Sequence, residues 1–231
     1  MMTRSVRINA GREVIDGDLV VPDHARGLVL FAHGSGSSRF SPRNRFVAGE
    51  LQRRGLGTLL LDLLTSQEEQ VDLVTRHLRF DVEFLAQRLL AATEWIIDDA
   101  QLARLRIGYF GSSTGAAAAL IAAAKEPDLV GAVVSRGGRP DLAREYLDYV
   151  RAPTLLIVGG NDAGVIELNE DAFRSLHGEK RFDLISRATH LFEEPGALEQ
   201  VAEIAGEWFE HHLGAAPPLT LERAGRHPPG P

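Results

Sequence analysis

Short apolar runs alternate along the chain with longer segments of mixed polarity. The runs are "GLVLFAHG" (27–34), "GTLLLDLL" (57–64), "LRIGYFGSS" (105–113), "LVGAVVSRGG" (129–138), "PTLLIVGGND" (153–162) and "RFDLISRATH" (181–190). Continuous runs of this length predict strands buried on both faces. Between them, "FDVEFLAQRLLAATEWII" spaces Val82, Leu85, Leu89, Ala92 and Ile96 three or four positions apart. "GALEQVAEIAGEWFEHHL" does the same with Leu198, Val201, Ile204, Trp208 and Leu213. That period marks the apolar stripe of a helix packed on a sheet. Strands alternating with helices predict right-handed crossovers. The expected architecture is a three-layer α/β fold, a mostly parallel sheet with helices on both faces.

The two ends of the chain depart from this rhythm. "SVRINA" and "EVIDGDLVVP" alternate polar and apolar residues and meet across Gly11 and Arg12. They predict an antiparallel N-terminal hairpin at one sheet edge. After Leu213, "GAAPPLTLERAGRHPPGP" is rich in proline, glycine and charge. It buries too little apolar surface to offset its ordering entropy, so residues 214–231 are expected to form a mobile tail beyond a single domain over 1–213.

Composition narrows the function classes. The 231 residues are 44% hydrophobic and carry a net charge of −7. Lysine and arginine are dispersed, so no basic face for nucleic acid is expected. Cysteine is absent, which excludes disulfides, zinc–thiolate sites, iron–sulfur clusters and a cysteine nucleophile. "MMTRSVRINAGREV" lacks the apolar segment of a secretory signal. No window approaches the ~20 apolar residues that span a bilayer. The expectation is a cytoplasmic protein without membrane contact, a monomer or homodimer.

In an open parallel sheet, ligands bind beyond the carboxyl ends of the strands. There the chain carries "HGSGSS", "GSSTG", "GGND" and "ATH". Ser113, Asp162 and His190 thus fall on three loops at one end of the sheet. In the pattern G-x-S-x-G the nucleophile sits on a tight strand-to-helix turn, and the positions two before and two after must be small. Gly111 and Gly115 frame Ser113 in this way, whereas Phe110 would crowd Ser112. The alanines that follow favour a helix packed close to the sheet. A plain Gly/Ser turn is the bland alternative. Of eight histidines, His190 alone directly follows the last predicted strand, where a general base could reach Ser113. His211 and His212 suit the end of the last helix. His77 precedes a long helix with no evident partner. Asp162 would orient the imidazole, or serve as an Asx-turn residue. Its rivals are Asp62 and Asp141.

Acyl transfer also needs donors for a developing oxyanion. The backbone N–H groups of Ser35 and Thr114 are the candidates, with His33 and Gly34 as substrate contacts on the same loop. A phosphate-cradling reading of "HGSGSS" fails, because the G-K-[ST] ending and the third glycine of the dinucleotide fingerprint are missing. Arg136 and Arg139, in "SRGGRPD", follow the fourth predicted strand, and Arg39, Arg43 and Arg45 follow the glycine-rich loop. Arg136 is the first candidate to hold a substrate carboxylate. The competing reading is a surface salt bridge, for example Arg139 with Asp141.

Together these residues resemble the α/β-hydrolase superfamily over nearly the whole chain, in the elbow, the oxyanion loop and the order Ser, Asp, His. "HGSGSS", "SRGGRPD", "TLLIVGGND" and "ATHLFEEPGALEQV" look most like the dienelactone-hydrolase-related branch. The resemblance implies a cofactor-free, metal-free hydrolase of small esters or lactones. Dienelactone hydrolases proper carry a cysteine nucleophile, and Ser113 stands in that place here. A serine carboxylesterase acting on a small-molecule ester is therefore the expectation. A dienelactone-type lactonase, a peptidase or acyltransferase, and a non-catalytic ligand-binding protein are the alternatives. Only about 15 residues separate "SRGG" from "PTLLIVGG", too few for a cap domain, so an open site is expected.

Overall fold

A computed structural model describes residues 1–214. The tail expected at 214–231 lies outside the described residues except for Gly214. The elements, in chain order, are β1 (Met2–Ala10), β2 (Glu13–Val21), β3 (Gly27–Ala32), α1 (Pro42–Arg53), β4 (Gly57–Leu61), α2 (Ser66–Thr75), α3 (Val82–Asp98), β5 (Arg106–Ser112), α4 (Thr114–Lys125), β6 (Val130–Arg136), β7 (Thr154–Gly159), α5 (Ala163–Ser175), β8 (Lys180–Ile185) and α6 (Ala197–Leu213). Short 3-10 segments cover Leu78–Phe80 and Pro140–Tyr149.

All eight strands form one sheet, in the order β1-β2-β4-β3-β5-β6-β7-β8. β1 pairs antiparallel with β2, and β2 antiparallel with β4; the remaining pairings are parallel. The hairpin turn is Gly11-Arg12, with Gly11 at φ +75°, where a glycine is unstrained. Every residue of β3, β4 and β7 is buried, which accounts for their unbroken apolar runs. β8 departs from that expectation. Among the described residues it pairs only with β7, so as an edge strand it leaves Arg181 and Leu184 exposed.

Two apolar clusters lie on the two faces of the sheet. One gathers Leu85, Leu89, Tyr109, Ala118, Val133 and Leu156 beneath α3 and α4. The other gathers Phe31, Val47, Phe110, Val134, Val201 and Phe209 beneath α1 and α6. In α3 the predicted stripe Val82, Leu85, Leu89, Ala92 and Ile96 is buried. In α6 the stripe is shifted. Val201, Ala202, Ala205, Trp208, Phe209 and Leu213 are buried, while Leu198 and Ile204 only flank the core.

α4 runs through the centre, with Thr114 to Ala123 all buried. Small side chains allow this packing. Between β6 and β7 the 3-10 segment packs on α4 and α5. Among the described residues, no cap domain intervenes between β6 and β7. Among the described residues, no helix is long and apolar enough to cross a membrane.

Strand order sets the location of the site. From β3 the chain crosses to β4 on one side; from β5 it crosses to β6 on the other. The loops leaving β3 and β5 therefore diverge and open a crevice at the switch point of the sheet.

Candidate active site

Ser113 sits at that crevice, between the last residue of β5 and the first of α4. Its backbone is at φ 51°, ψ −121°, a conformation that costs a non-glycine residue about 1–3 kcal/mol. The surroundings enforce it. The Ser113 N–H donates to the Arg136 carbonyl at 3.3 Å, and the Ser113 carbonyl accepts from Ala116 and Arg139, each at 3.1 Å. The flanking glycines have no room for a side chain. A β-carbon on Gly111 would lie 2.7 Å from the Ala116 nitrogen, and one on Gly115 2.5 Å from the His33 carbonyl oxygen. Ser112 is buried and donates its hydroxyl to Asn44 Oδ1 at 3.1 Å. Ser113 remains partly exposed.

Asp162 follows β7, and its Oδ2 lies 2.7 Å from His190 Nδ1. Asp162 occupies the N-cap of α5, yet its side chain makes no capping bond. The carboxylate is thus committed to the histidine rather than to an Asx turn. Backbone bonds lace this loop to the one carrying His190: Gly160 N–H to Ile185 O at 2.8 Å, and Asn161 N–H to Ala188 O at 2.9 Å. Gly159 permits the approach, since a β-carbon there would meet the Thr189 carbonyl oxygen at 2.7 Å. Gly137, at φ +51°, packs beside the imidazole, where a β-carbon would lie 3.6 Å from His190 Cε1. Ser113 thus borders Arg136 and the imidazole borders the next residue, Gly137; among the described residues, no hydrogen bond joins Ser113 Oγ to His190. The rival carboxylates have other partners. Asp62 pairs with Arg39, through both its N–H and its guanidinium. Asp141 takes two bonds from Arg139, at 2.8 and 2.7 Å. That pair is the salt bridge that served as the bland reading of Arg139.

The loop after β3 faces the elbow. Gly34 packs on Ser113, and Ser35 is exposed beyond it. His33 has a bracing role instead of an open ring. Its Nε2 accepts the Leu63 N–H at 3.0 Å, which leaves Nδ1 to donate to the Gly34 carbonyl at 2.9 Å. Burial holds its pKa below the usual histidine value. Thr114 N–H opens α4, at the positive end of the helix dipole, where no intrahelical acceptor exists. Among the described residues, neither this N–H nor that of Ser35 donates to a protein acceptor.

A depression beside the loop is lined by Ser35, Ser38, Asp62, Leu64, Glu69 and Arg79. Sequence reasoning had not placed α2 or Arg79 here. The signal was present in Thr65 and Glu68, which form a capping box at the start of α2. His77 is exposed, bonded to Thr75, and not among the residues lining this depression. Arg136 is buried at the end of β6. Among the described residues, one group has metal-ligand spacing: Glu179, His211 and His212, with ligand atoms within 4.8 Å of one another. It lies before β8 and at the end of α6, at the opposite end of the sheet from Ser113.

Residues 43–212 match the model of the dienelactone hydrolase family. The chain belongs to this family. A crystal structure of a dienelactone hydrolase from Anabaena variabilis is 58% identical, covers 92% of this chain and 98% of its own, and superposes with a TM-score of 0.90. Est1E from Butyrivibrio proteoclasticus covers 90% of this chain and 98% of its own, with a TM-score of 0.76 at 16% identity, a likeness of fold alone. Two proteins from strains of Mycobacterium tuberculosis, provisionally named phosphoribosyl transferases, are 54% identical over 208 residues, 90% of this chain. The chain spans about half the length of these relatives, 46%. The dienelactone hydrolase fold described above is that of the α/β-hydrolases.

Proposed function

We propose that the chain is a serine esterase, with Ser113 as nucleophile, His190 as general base and Asp162 as its orienting carboxylate. The observation that carries this reading is the strained backbone of Ser113, held on a glycine-framed turn at the same end of the sheet as a carboxylate-bonded imidazole. Bonded to Asp162, His190 keeps its proton on Nδ1 and its lone pair on Nε2. Nε2 takes the Ser113 proton as Oγ attacks the ester carbonyl. The backbone N–H groups of Ser35 and Thr114 receive the oxyanion. His190 then protonates the leaving alcohol, and a water activated by the same imidazole releases the acid from the acyl-enzyme. The absence of a cap domain between β6 and β7 among the described residues favours small or accessible esters, and the family's name makes lactones the first substrates to try beside them. We draw no transferase chemistry from the longer mycobacterial relatives, because the arrangement around Ser113 serves acyl transfer.

The test is hydrolysis of 4-nitrophenyl acetate by the wild type and Ser113→Ala. We expect the variant to lose about a thousandfold or more in kcat. Equal turnover by both proteins would overturn the proposal.

A further inference from the structure

Glu179, His211 and His212 meet at the end of the sheet remote from Ser113, with one ligand atom of each within 4.8 Å of the others. The backbone fixes where all three stand. Glu179 directly precedes β8, and its carbonyl accepts the Thr154 N–H of β7 at 2.9 Å. His211 and His212 lie in the last turn of α6. Beside them, Leu213 packs on Gly27 and Gly131 at the starts of β3 and β6, which seats the helix end on the sheet.

His212 is the rigid member. Its side chain is 8% exposed, and its ring stands edge-on to Trp208 with the centroids 4.3 Å apart. Its Nε2 is sealed from solvent and has no hydrogen-bond partner among the described residues. A buried polar atom left in that state is costly. The same nitrogen lies 3.6 Å from Glu179 Oε1, too far for a hydrogen bond. That gap does suit two ligands of one tetrahedral zinc ion, which sit about 3.4 Å apart when each bond is about 2.0–2.2 Å. The His211 ring is perpendicular to that of His212, with centroids 4.7 Å apart. Glu179 and His211 are exposed, so their side chains have room to close on an ion that the fixed His212 holds. The carboxyl end of α6 adds the negative end of its dipole. Arg106 acts against a cation there, and the Glu179 carboxylate offsets it.

We propose that Glu179, His211 and His212 form a zinc site that clips the edge strand β8 to the end of α6. Two imidazoles and one carboxylate are a donor set that zinc accepts, whereas magnesium and calcium require more oxygens. At the opposite end of the sheet from Ser113, the ion touches no reacting atom, and its role is structural. The proposal is independent of the serine-esterase reading.

Calorimetric titration of Zn²⁺ into the full, untagged chain tests it. We expect one site per chain with a Kd of about 10 μM or tighter, undisturbed by a roughly hundredfold excess of Mg²⁺. His211→Ala and Glu179→Ala alter exposed side chains, so they should fold like the wild type and weaken the site by about tenfold or more. His212→Ala should abolish it. His77→Ala, an exposed histidine outside the cluster, should keep the wild-type Kd. In hydrogen exchange, zinc should slow the amides of Lys180–Ile185 and of the last turn of α6 in the wild type but not in His211→Ala. The proposal is overturned if zinc binds at no single saturable site, if magnesium competes equally, or if the Kd is unchanged in His211→Ala or Glu179→Ala. Equal weakening in His77→Ala, or β8 exchange that zinc leaves unaltered, would overturn it as well.

Discussion

Gly34 packs against Ser113 so closely that a β-carbon on the glycine would stand 3.0 Å from Ser113 Cβ and 3.1 Å from the Ser112 carbonyl oxygen. A β-carbon at position 34 therefore requires the loop after β3 or the elbow after β5 to give by a few tenths of an ångström. Gly34→Ala should push the loop, and with it the Ser35 N–H, away from the reacting carbonyl. A 1 Å misplacement can cost about a hundredfold, so a shift of a few tenths of an ångström should reduce kcat by about tenfold. Steady-state kinetics should show this fall with KM changing less. Wild-type kcat in Gly34→Ala would remove Ser35 from the proposed oxyanion hole.

The 2.7 Å contact between Asp162 and His190 sets the imidazole's tautomer in the proposed mechanism. Asp162→Asn keeps the shape but presents the wrong hydrogen-bonding partner. We expect kcat to drop by about 10³–10⁴-fold, with the melting temperature within a few degrees of wild type. Because Asp162 makes no side-chain cap on α5, a large stability loss would point to a structural role for this carboxylate.

Gly115 tests the elbow's packing separately from its chemistry. A β-carbon there would strike the backbone of Ala32 and His33, neither of which is a flexible side-chain end. Gly115→Ala should destabilise the fold by roughly 2–4 kcal/mol, measured by urea unfolding. A change below about 0.5 kcal/mol would show that β3 and α4 are not clamped as described.

His33 gives a pH signature. Its folded-state pKa lies below 6.5 because it is buried, so the unfolded chain binds the proton more readily. The stability contributed is complete above pH ~6.5 and is lost as pH falls toward the depressed folded value. His33→Gln should flatten the dependence of unfolding free energy on pH between about 5 and 7. An identical slope in wild type and variant would contradict this account.

Arg136 predicts a trade-off. Replacing a buried, unpaired charge with an apolar side chain of similar length is neutral or stabilising. Arg136→Met should match the wild type or exceed it by about 1–3 kcal/mol in urea unfolding without added anions. A loss of stability would mean that the guanidinium is held by partners within the fold.

The candidate residues on the strand-end loops were legible because their constraints are local. Gly111 and Gly115 identify Ser113 through the steric demand of one turn, and the apolar runs mark the strands whose ends carry Asp162 and His190. β8 read as fully buried because an apolar run reports hydrophobicity and not the number of neighbouring strands. α2 stayed hidden because it is largely polar and buries only Asp72, so it lacks a clear apolar stripe.

The sequence alone determined the alternation of elements, the glycine-framed serine and the order of Ser113, Asp162 and His190, since each depends on spacing within a short segment. Tertiary structure decided that β3 lies between β4 and β5, which sets Gly34 against Ser113. It also decided which charges are satisfied: Asp62 and Asp141 are matched by arginines, while Arg136 Nε and Nη1 are buried without a hydrogen-bond partner among the described residues. Strand order and charge pairing arise from contacts between segments distant along the chain, and no local pattern of residues encodes them.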